Sequence, residues 1–364
     1  MGHKGKGKKG KGKGRGKELA GKKPPRAGAV AESTLEGDAP DALLDQARNA
    51  GDPFLAVTLY QKVLQARPHD TTAMGEAADL MLHVGETAAA KEVLARSILL
   101  GPEEGPDKYL YMAQLHEGRE ALGYYEKGLE LLQKQLADGA AETKEAEAAL
   151  RQRVCMAYCS VGELFLTDLC FDQDAETRCQ DALDGSMRYD YGGPEPLNAL
   201  ANLRLSQSKP EEAAKSAEEA FRRLGLCEPP PDHEFRVSLA KVLVECSSVN
   251  ASCSEKALQV LNGLLQEDDE NVELWYLMAV AFNSLQPPDY ESARCAYHLN
   301  TAAEMLSKIR TAQEEMGEEF AFSDQVQLVQ EQLEVTALLE GEDVGGDSRP
   351  KTSNASGVQE MDCA

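Results

Sequence analysis

The sequence has few aromatic residues, a single tryptophan and no long apolar run. Aromatic residues make up 5% of its 364 residues, and no apolar stretch approaches the ~18 residues that a membrane-spanning helix needs. The first residues alternate Gly with Lys, so a secretory signal with an apolar centre is not expected. The nine cysteines are an odd number and form no C-x-x-C pair. We therefore expect a soluble, intracellular protein with reduced thiols, most of them buried.

Basic residues are also scarce outside the beginning of the chain. The whole sequence has 62 acidic and 38 basic residues, a formal net charge of -24. Residues 1–26 contain nine Lys, two Arg and one acidic residue, a net charge of +10, so residues 27–364 carry -34. A body with this charge is expected to repel nucleic acid and membrane phosphates and to attract cationic partners.

The composition divides the chain into three parts. Residues 1–36 form a Lys/Gly-rich head and linker, and residues 341–364 form a small, polar tail. Both have too little apolar content to fold, so disorder is expected there. Residues 37–340 are rich in Ala, Leu, Glu and Gln, which favour helices, and lack the alternation typical of strands. The sequence predicts an all-α protein.

A repeat of 34 residues organises the helical part. When residues 37–70 are aligned with 71–104, five positions match. The matched pairs are Gly51 with Gly85, Ala56 with Ala90, Tyr60 with Leu94, Leu64 with Ile98, and Pro68 with Pro102. This spacing is typical of tetratricopeptide repeats, in which each unit is a pair of helices, A and B. Looser copies predict about seven units and a capping helix near Asp324–Leu339, stacked into a superhelix whose concave face is lined by the A helices.

Motifs for catalysis or metal binding are weak. Gly2, Gly7 and Lys8 have the spacing of a phosphate-binding loop, but Lys9 stands where Ser or Thr must bind Mg²⁺. Cys155 and Cys159 share a helix face without a nearby histidine, so buried core thiols are favoured over a metal site. No enzymatic activity, cofactor or metal is expected.

The register of the A helices predicts a binding surface on the concave face. The predicted client-binding residues are Asp38, Asp41, Asp45, Glu76, Asp79, Glu195, Asn198, Asn202, Glu273 and Tyr276. Most of them are acidic, although any surface of such an acidic body would be. Tyr276 and Tyr111 are either aromatic anchors or core residues. Tetratricopeptide co-chaperones bind a C-terminal carboxylate through Lys, Asn and Arg at these positions, so Asp41 and Asp45 argue against that function.

One segment carries a more specific resemblance. The stretch from Ala157 to Ala175 reads AYCSVGELFLTDLCFDQDA. Together with the acidic repeats and the Lys-rich head, it resembles the dedicated assembly chaperones of large-subunit ribosomal protein four, known first in fungi. The resemblance implies a non-enzymatic chaperone that binds and shields a newly made basic ribosomal protein and accompanies it from the cytoplasm to nuclear pre-ribosomes.

Two further questions are open at the level of sequence. The alternative function is a general tetratricopeptide scaffold in another nuclear or cytoplasmic complex. The basic head (residues 1–26) is a nuclear or nucleolar address, a weak RNA tether or a solubilising tail, and it is the only part expected to contact nucleic acid. We expect a monomer that binds no membrane.

Overall fold

The computed structural model describes residues 39–139, 141, 143–285 and 292–343. Within these ranges the chain forms fifteen α-helices and no β-strand. The predicted head (1–36) and the tail beyond residue 343 lie outside the described residues. The predictions about them therefore stay predictions.

The first fourteen helices of the described ranges form consecutive pairs. We call the first member of each pair the A helix and the second the B helix. The pairs are α1 (Pro40–Arg48) with α2 (Pro53–Ala66), α3 (Thr71–His83) with α4 (Thr87–Leu100), α5 (Asp107–Gln114) with α6 (Gly118–Ala137), α7 (Lys144–Leu166) with α8 (Ala175–Arg188), α9 (Glu195–Ser206) with α10 (Pro210–Leu224), α11 (His233–Cys246) with α12 (Ser252–Glu267), and α13 (Val272–Asn283) with α14 (Ser292–Met316). A last helix, α15 (Ser323–Asp343), follows them.

The chain divides into two compact units, Met1–Ala73 and Met74–Ala364. In the described part of the first unit, α1 packs against α2 through buried apolar side chains. Asp52 caps α2, because its carboxylate accepts a hydrogen bond of 3.0 Å from the backbone N–H of Phe54. Proline occupies the first position of both helices, where its missing N–H costs no hydrogen bond.

In the second unit the helices stack in a regular order. The A helices α7, α9 and α11 each contact the next A helix, and α13 contacts α15. The B helices from α4 onward contact the A helix of the next pair, and α14 contacts α15. Each pair therefore buries its apolar side against its neighbours, as helical repeats do. The predicted all-α tetratricopeptide fold is confirmed.

Small residues allow the paired helices to approach closely. A Cβ atom added to Gly162 on α7 would lie 2.8 Å from Cδ2 of Leu183 on α8, and Leu183 is fully buried. The Sγ atom of Cys179 contacts the Gly162 carbonyl oxygen at 3.3 Å at the same crossing. The crossing therefore requires a residue without a side chain at position 162.

The cysteines are core residues in most cases. Of the eight cysteines among the described residues, six are buried, whereas Cys170 is exposed and Cys227 is half-buried. Burial raises the pKa of Cys246 to about 12 and that of Cys253 to about 11. A hydrogen bond with Cys155, together with burial, raises the pKa of Cys159 well above its usual range. These thiols stay protonated near neutral pH, so they are poor nucleophiles and metal ligands.

The described helices contain neither a membrane-spanning stretch nor a cluster of metal ligands. None of them is both long enough and apolar enough to cross a bilayer. Over the same residues, no three His, Cys, Asp or Glu side chains lie close enough together to hold a metal ion.

Candidate functional site

Polar contacts between successive A helices define one surface of the second unit. We call this the A-helix surface, meaning the polar side chains of α3, α5, α7, α9, α11 and α13. Its contacts are Tyr111 with Asp79 at 2.6 Å, Arg153 with Asp107, Asn198 with Ser238 at 3.0 Å, and Lys241 with Glu273 at 2.7 Å. Two of these contacts are ion pairs and two are hydrogen bonds without a cation. Of the ten predicted site residues, four lie on α1 or α3, three on α9 and two on α13, and Asp38 lies outside the described residues.

The two described residues on α1 belong to the first unit and are both exposed. The carboxylate of Asp41 lies 2.6 Å from the guanidinium of Arg67, which follows α2. This hydrogen bond raises the pKa of Arg67 above its usual value. Asp41 still exposes 79% of its side chain, so the pair remains open to solvent. Asp45 places a second exposed carboxylate one turn further along α1.

On α3, the structure connects a predicted acid with a predicted aromatic residue. The hydroxyl of Tyr111 on α5 donates a hydrogen bond of 2.6 Å to the Asp79 carboxylate. Burial, reinforced by this hydrogen bond, raises the pKa of Tyr111 to about 12. Glu76 is half-buried on the same helix as Asp79. Tyr111 therefore links two A helices while part of its ring remains exposed.

The three predicted residues on α9 have different environments. Glu195 accepts a hydrogen bond from the hydroxyl of Tyr191, and Asn202 is half-buried. Asn198 is only 5% exposed and donates a hydrogen bond to Ser238 on α11. Its Oδ1 atom is buried and has no hydrogen-bond donor within the described ranges. The interpretation of Asn198 as an accessible binding residue is therefore corrected, because contact with α11 covers its amide.

The two predicted residues on α13 lie at a pocket. A cavity of about 350 Å³ opens between α11, α13 and α15, and both Glu273 and Tyr276 line it. Glu273 pairs with Lys241 at its edge, and each of the two side chains is 45% exposed. Burial, with a smaller contribution from Glu331, raises the pKa of the Tyr276 phenol. The structure thus places an aromatic ring and a carboxylate at the same opening.

Several residues of this surface were not predicted from the sequence. Arg153 on α7 and Ser238 and Lys241 on α11 all contact predicted or neighbouring A-helix residues. They lie on the fourth and sixth A helices, to which the sequence analysis assigned no binding residues. The same helical register, extended to those two helices, would have found Lys241. The register of the A helices does not predict that α15 forms one wall of the pocket.

The fold and this surface together define a class of protein. Stacked helix pairs present a polar A-helix surface, and the described residues hold no cluster of metal ligands. This is the arrangement of a tetratricopeptide-type binding protein.

Comparisons with known proteins specify the resemblance further. No family model matches the chain. It is 34% identical over 197 residues to the "Probable assembly chaperone of rpl4" of Schizosaccharomyces pombe, covering 52% of this chain and 56% of that protein. It is 26% identical over 273 residues to the protein of the same name from Emericella nidulans, covering 69% and 66%. The matched regions thus span less than two thirds of the length of either relative.

Solved structures show the same similarity at the level of the fold. The assembly chaperone of RpL4 (Acl4, residues 1–338) superposes with a TM-score of 0.60 and 28% identity, covering 67% of this chain and 95% of that one. The APC/C hetero-tetramer Cut9–Hcn1 superposes with a TM-score of 0.51, covering 82% of this chain and 48% of that one, but at 12% identity it supports the fold alone. The resemblance inferred from the sequence is confirmed. The relatives are named as assembly chaperones, a non-enzymatic class, in agreement with the prediction that the chain is not an enzyme.

Proposed function

We propose that this chain is a dedicated chaperone that binds and shields a basic large-subunit ribosomal protein, the homologue of the rpl4 named in its relatives. The observation that carries the proposal is the 34% identity to the S. pombe chaperone, supported by the superposition on Acl4. The client is held by exposed carboxylates of the A helices. Asp45 and Asp41 provide them on α1, and Glu273 provides one on α13.

Electrostatics explains why such a client would bind. Residues 27–364 carry a net charge of -34, and opposite charge accelerates encounter and selects partners more than it adds raw affinity. A ribosomal protein rich in Lys and Arg would otherwise bind RNA without specificity. Covering those cations with carboxylates shields them. Ribosomal RNA then displaces the chaperone, because its phosphates provide a denser negative charge.

Cations that already pair with two of these carboxylates set a limit to this attraction. Arg67 pairs with Asp41, and Lys241 pairs with Glu273, so neither carboxylate is bare. Both pairs are open to solvent and are therefore weak. A Lys or Arg of the client can displace the internal partner at little cost.

The remaining parts of the proposal concern where the protein acts. We place it in the cytoplasm and the nucleus, as a monomer that binds no membrane. Contact with nucleic acid is assigned only to the basic head (residues 1–26), which lies outside the described residues.

Affinity purification of the full chain from its own cells tests the proposed function. We expect one basic large-subunit ribosomal protein in near-stoichiometric yield, lost when the salt concentration is raised, because exposed ion pairs are screened. Recovery of several large subunits of another complex, without that ribosomal protein, would instead support the scaffold function. A bait with the same tag and an unrelated acidic sequence controls for nonspecific capture.

A further inference from the structure

We propose that the pocket between α11, α13 and α15 is an anchor site for one bulky apolar side chain of the client, flanked in the client by Lys or Arg. The inference rests on the proposed function and specifies what that client must carry. A segment that is only basic would bind the exposed carboxylates, whereas the pocket selects for an apolar residue within the basic segment.

The inner surface of the pocket is apolar. Val244 on α11, Val272 and Leu277 on α13, and Val329 on α15 line it, and all four are buried. Its volume of about 350 Å³ lies at the small end of the roughly 300–1,000 Å³ typical of ligand pockets. That space suits one large side chain better than an extended ligand. Burying a Leu, Met or Phe side chain there favours binding, because it removes apolar area from water.

An exposed leucine stands at the opening. Leu328 on α15 lines the pocket and is 45% exposed. The ring of Tyr276 on α13 lies in the same lining and is half-buried. When an apolar group enters a concave site, the partly exposed apolar and aromatic side chains around it lose contact with water. This loss favours binding.

The edge of the pocket is acidic. Glu245 and Glu273 line it, and Glu331 is close enough to Tyr276 to influence its hydroxyl. Against these three carboxylates stands one ammonium group, that of Lys241, which pairs with Glu273. An apolar centre with a charged edge is the arrangement of a binding hot spot. The edge attracts cations beside the inserted side chain and repels acidic segments.

The location of the pocket favours the client over other occupants. Two of its three walls are the A helices α11 and α13, which also carry the Lys241–Glu273 pair of the A-helix surface. A client segment that is held by Glu273 therefore already lies at the pocket. The third wall, α15, would be held against α11 and α13 by the inserted side chain.

Two substitutions on α15 test the proposal with matched charge. Leu328→Glu places a carboxylate at the opening of the pocket, whereas Val335→Glu adds the same charge two turns further along α15, outside the lining. Leu328 is 45% and Val335 44% exposed, so both variants should fold, and circular dichroism checks this. With the purified full-length rpl4 homologue in calorimetry, we expect Leu328→Glu to weaken binding about tenfold and Val335→Glu to change it less than about twofold.

The outcomes separate this inference from the proposed function. If the wild-type chain does not bind the rpl4 homologue, the proposed function fails. If it binds and both variants bind equally well, only the anchor site is refuted. Tighter binding after removal of residues 344–364 would show that the chain's own tail occupies the pocket, and a dimer that Leu328→Glu dissociates would show a second copy there. Either result would overturn the proposal.

Discussion

Replacing Asp41, Asp45 and Glu273 together with lysine is expected to weaken binding of the rpl4 homologue roughly 100-fold at physiological salt, because each reversal removes an attraction and adds a repulsion. Two of the reversals also remove Asp41 from Arg67 and Glu273 from Lys241, although Arg67 keeps Asp70 at 3.9 Å. All three sites are exposed, so the fold should tolerate the changes. Calorimetry with the purified client measures the loss.

A control triple variant separates the effect of where the charge is reversed from the effect of how much the net charge changes. Glu92 on α4, Asp184 on α8 and Glu304 on α14 are exposed acids of B helices, and their replacement with lysine changes the net charge equally. At physiological salt, charges interact over about 8 Å, so the control should bind within about threefold of wild type. Equal weakening in the two variants would show that overall charge, and not the carboxylates of Asp41, Asp45 and Glu273, attracts the client.

Replacing Gly162 with valine is expected to lower the free energy of unfolding by about 3 kcal/mol, since overpacking a buried crossing is costly. The new Cβ would lie 2.8 Å from Cδ2 and 3.1 Å from Cγ of Leu183. Leu183 is fully buried among core side chains. Urea denaturation followed by circular dichroism measures the change.

Gly123 provides the matched control for this substitution. It also lies inside a helix, α6, but a Cβ added there meets no atom within 4 Å. Valine at position 123 should leave the stability nearly unchanged or raise it slightly, because glycine is the poorer helix former. Similar losses at both positions would mean that helix propensity, and not the crossing of α7 with α8, explains the effect.

The helical repeat could be predicted from sequence because its determinants are local. The 34-residue spacing marked where each pair begins and ends, and Pro68 and Pro102 follow the helices α2 and α4. The matched glycines do not have the same role, however. Gly85 adopts a positive φ of 81° in the turn between α3 and α4, whereas Gly51 does not have a positive φ. A glycine match thus indicates a turn without specifying its backbone conformation.

The binding surface could be predicted only in part, because exposure depends on neighbouring helices. The register of α9 placed Asn198 on the A-helix side, but contact with α11 buries it. The register of α13 correctly placed Glu273 and Tyr276 on one face, where both line the same pocket. The opposite wall comes from Leu328 and Val329, about fifty residues later in the chain. Such a contact cannot be read from the periodicity of a single helix.

Hydrogen–deuterium exchange of the full chain, with and without the purified rpl4 homologue, tests most directly whether the client binds the A helices. The account predicts slower exchange in peptides from α1, α11 and α13, and in α15 around Leu328. The exposed B-helix segments around Glu92 and Asp184 should exchange at the same rate in both states. Protection confined to the B helices, with none on the A helices, would contradict the account.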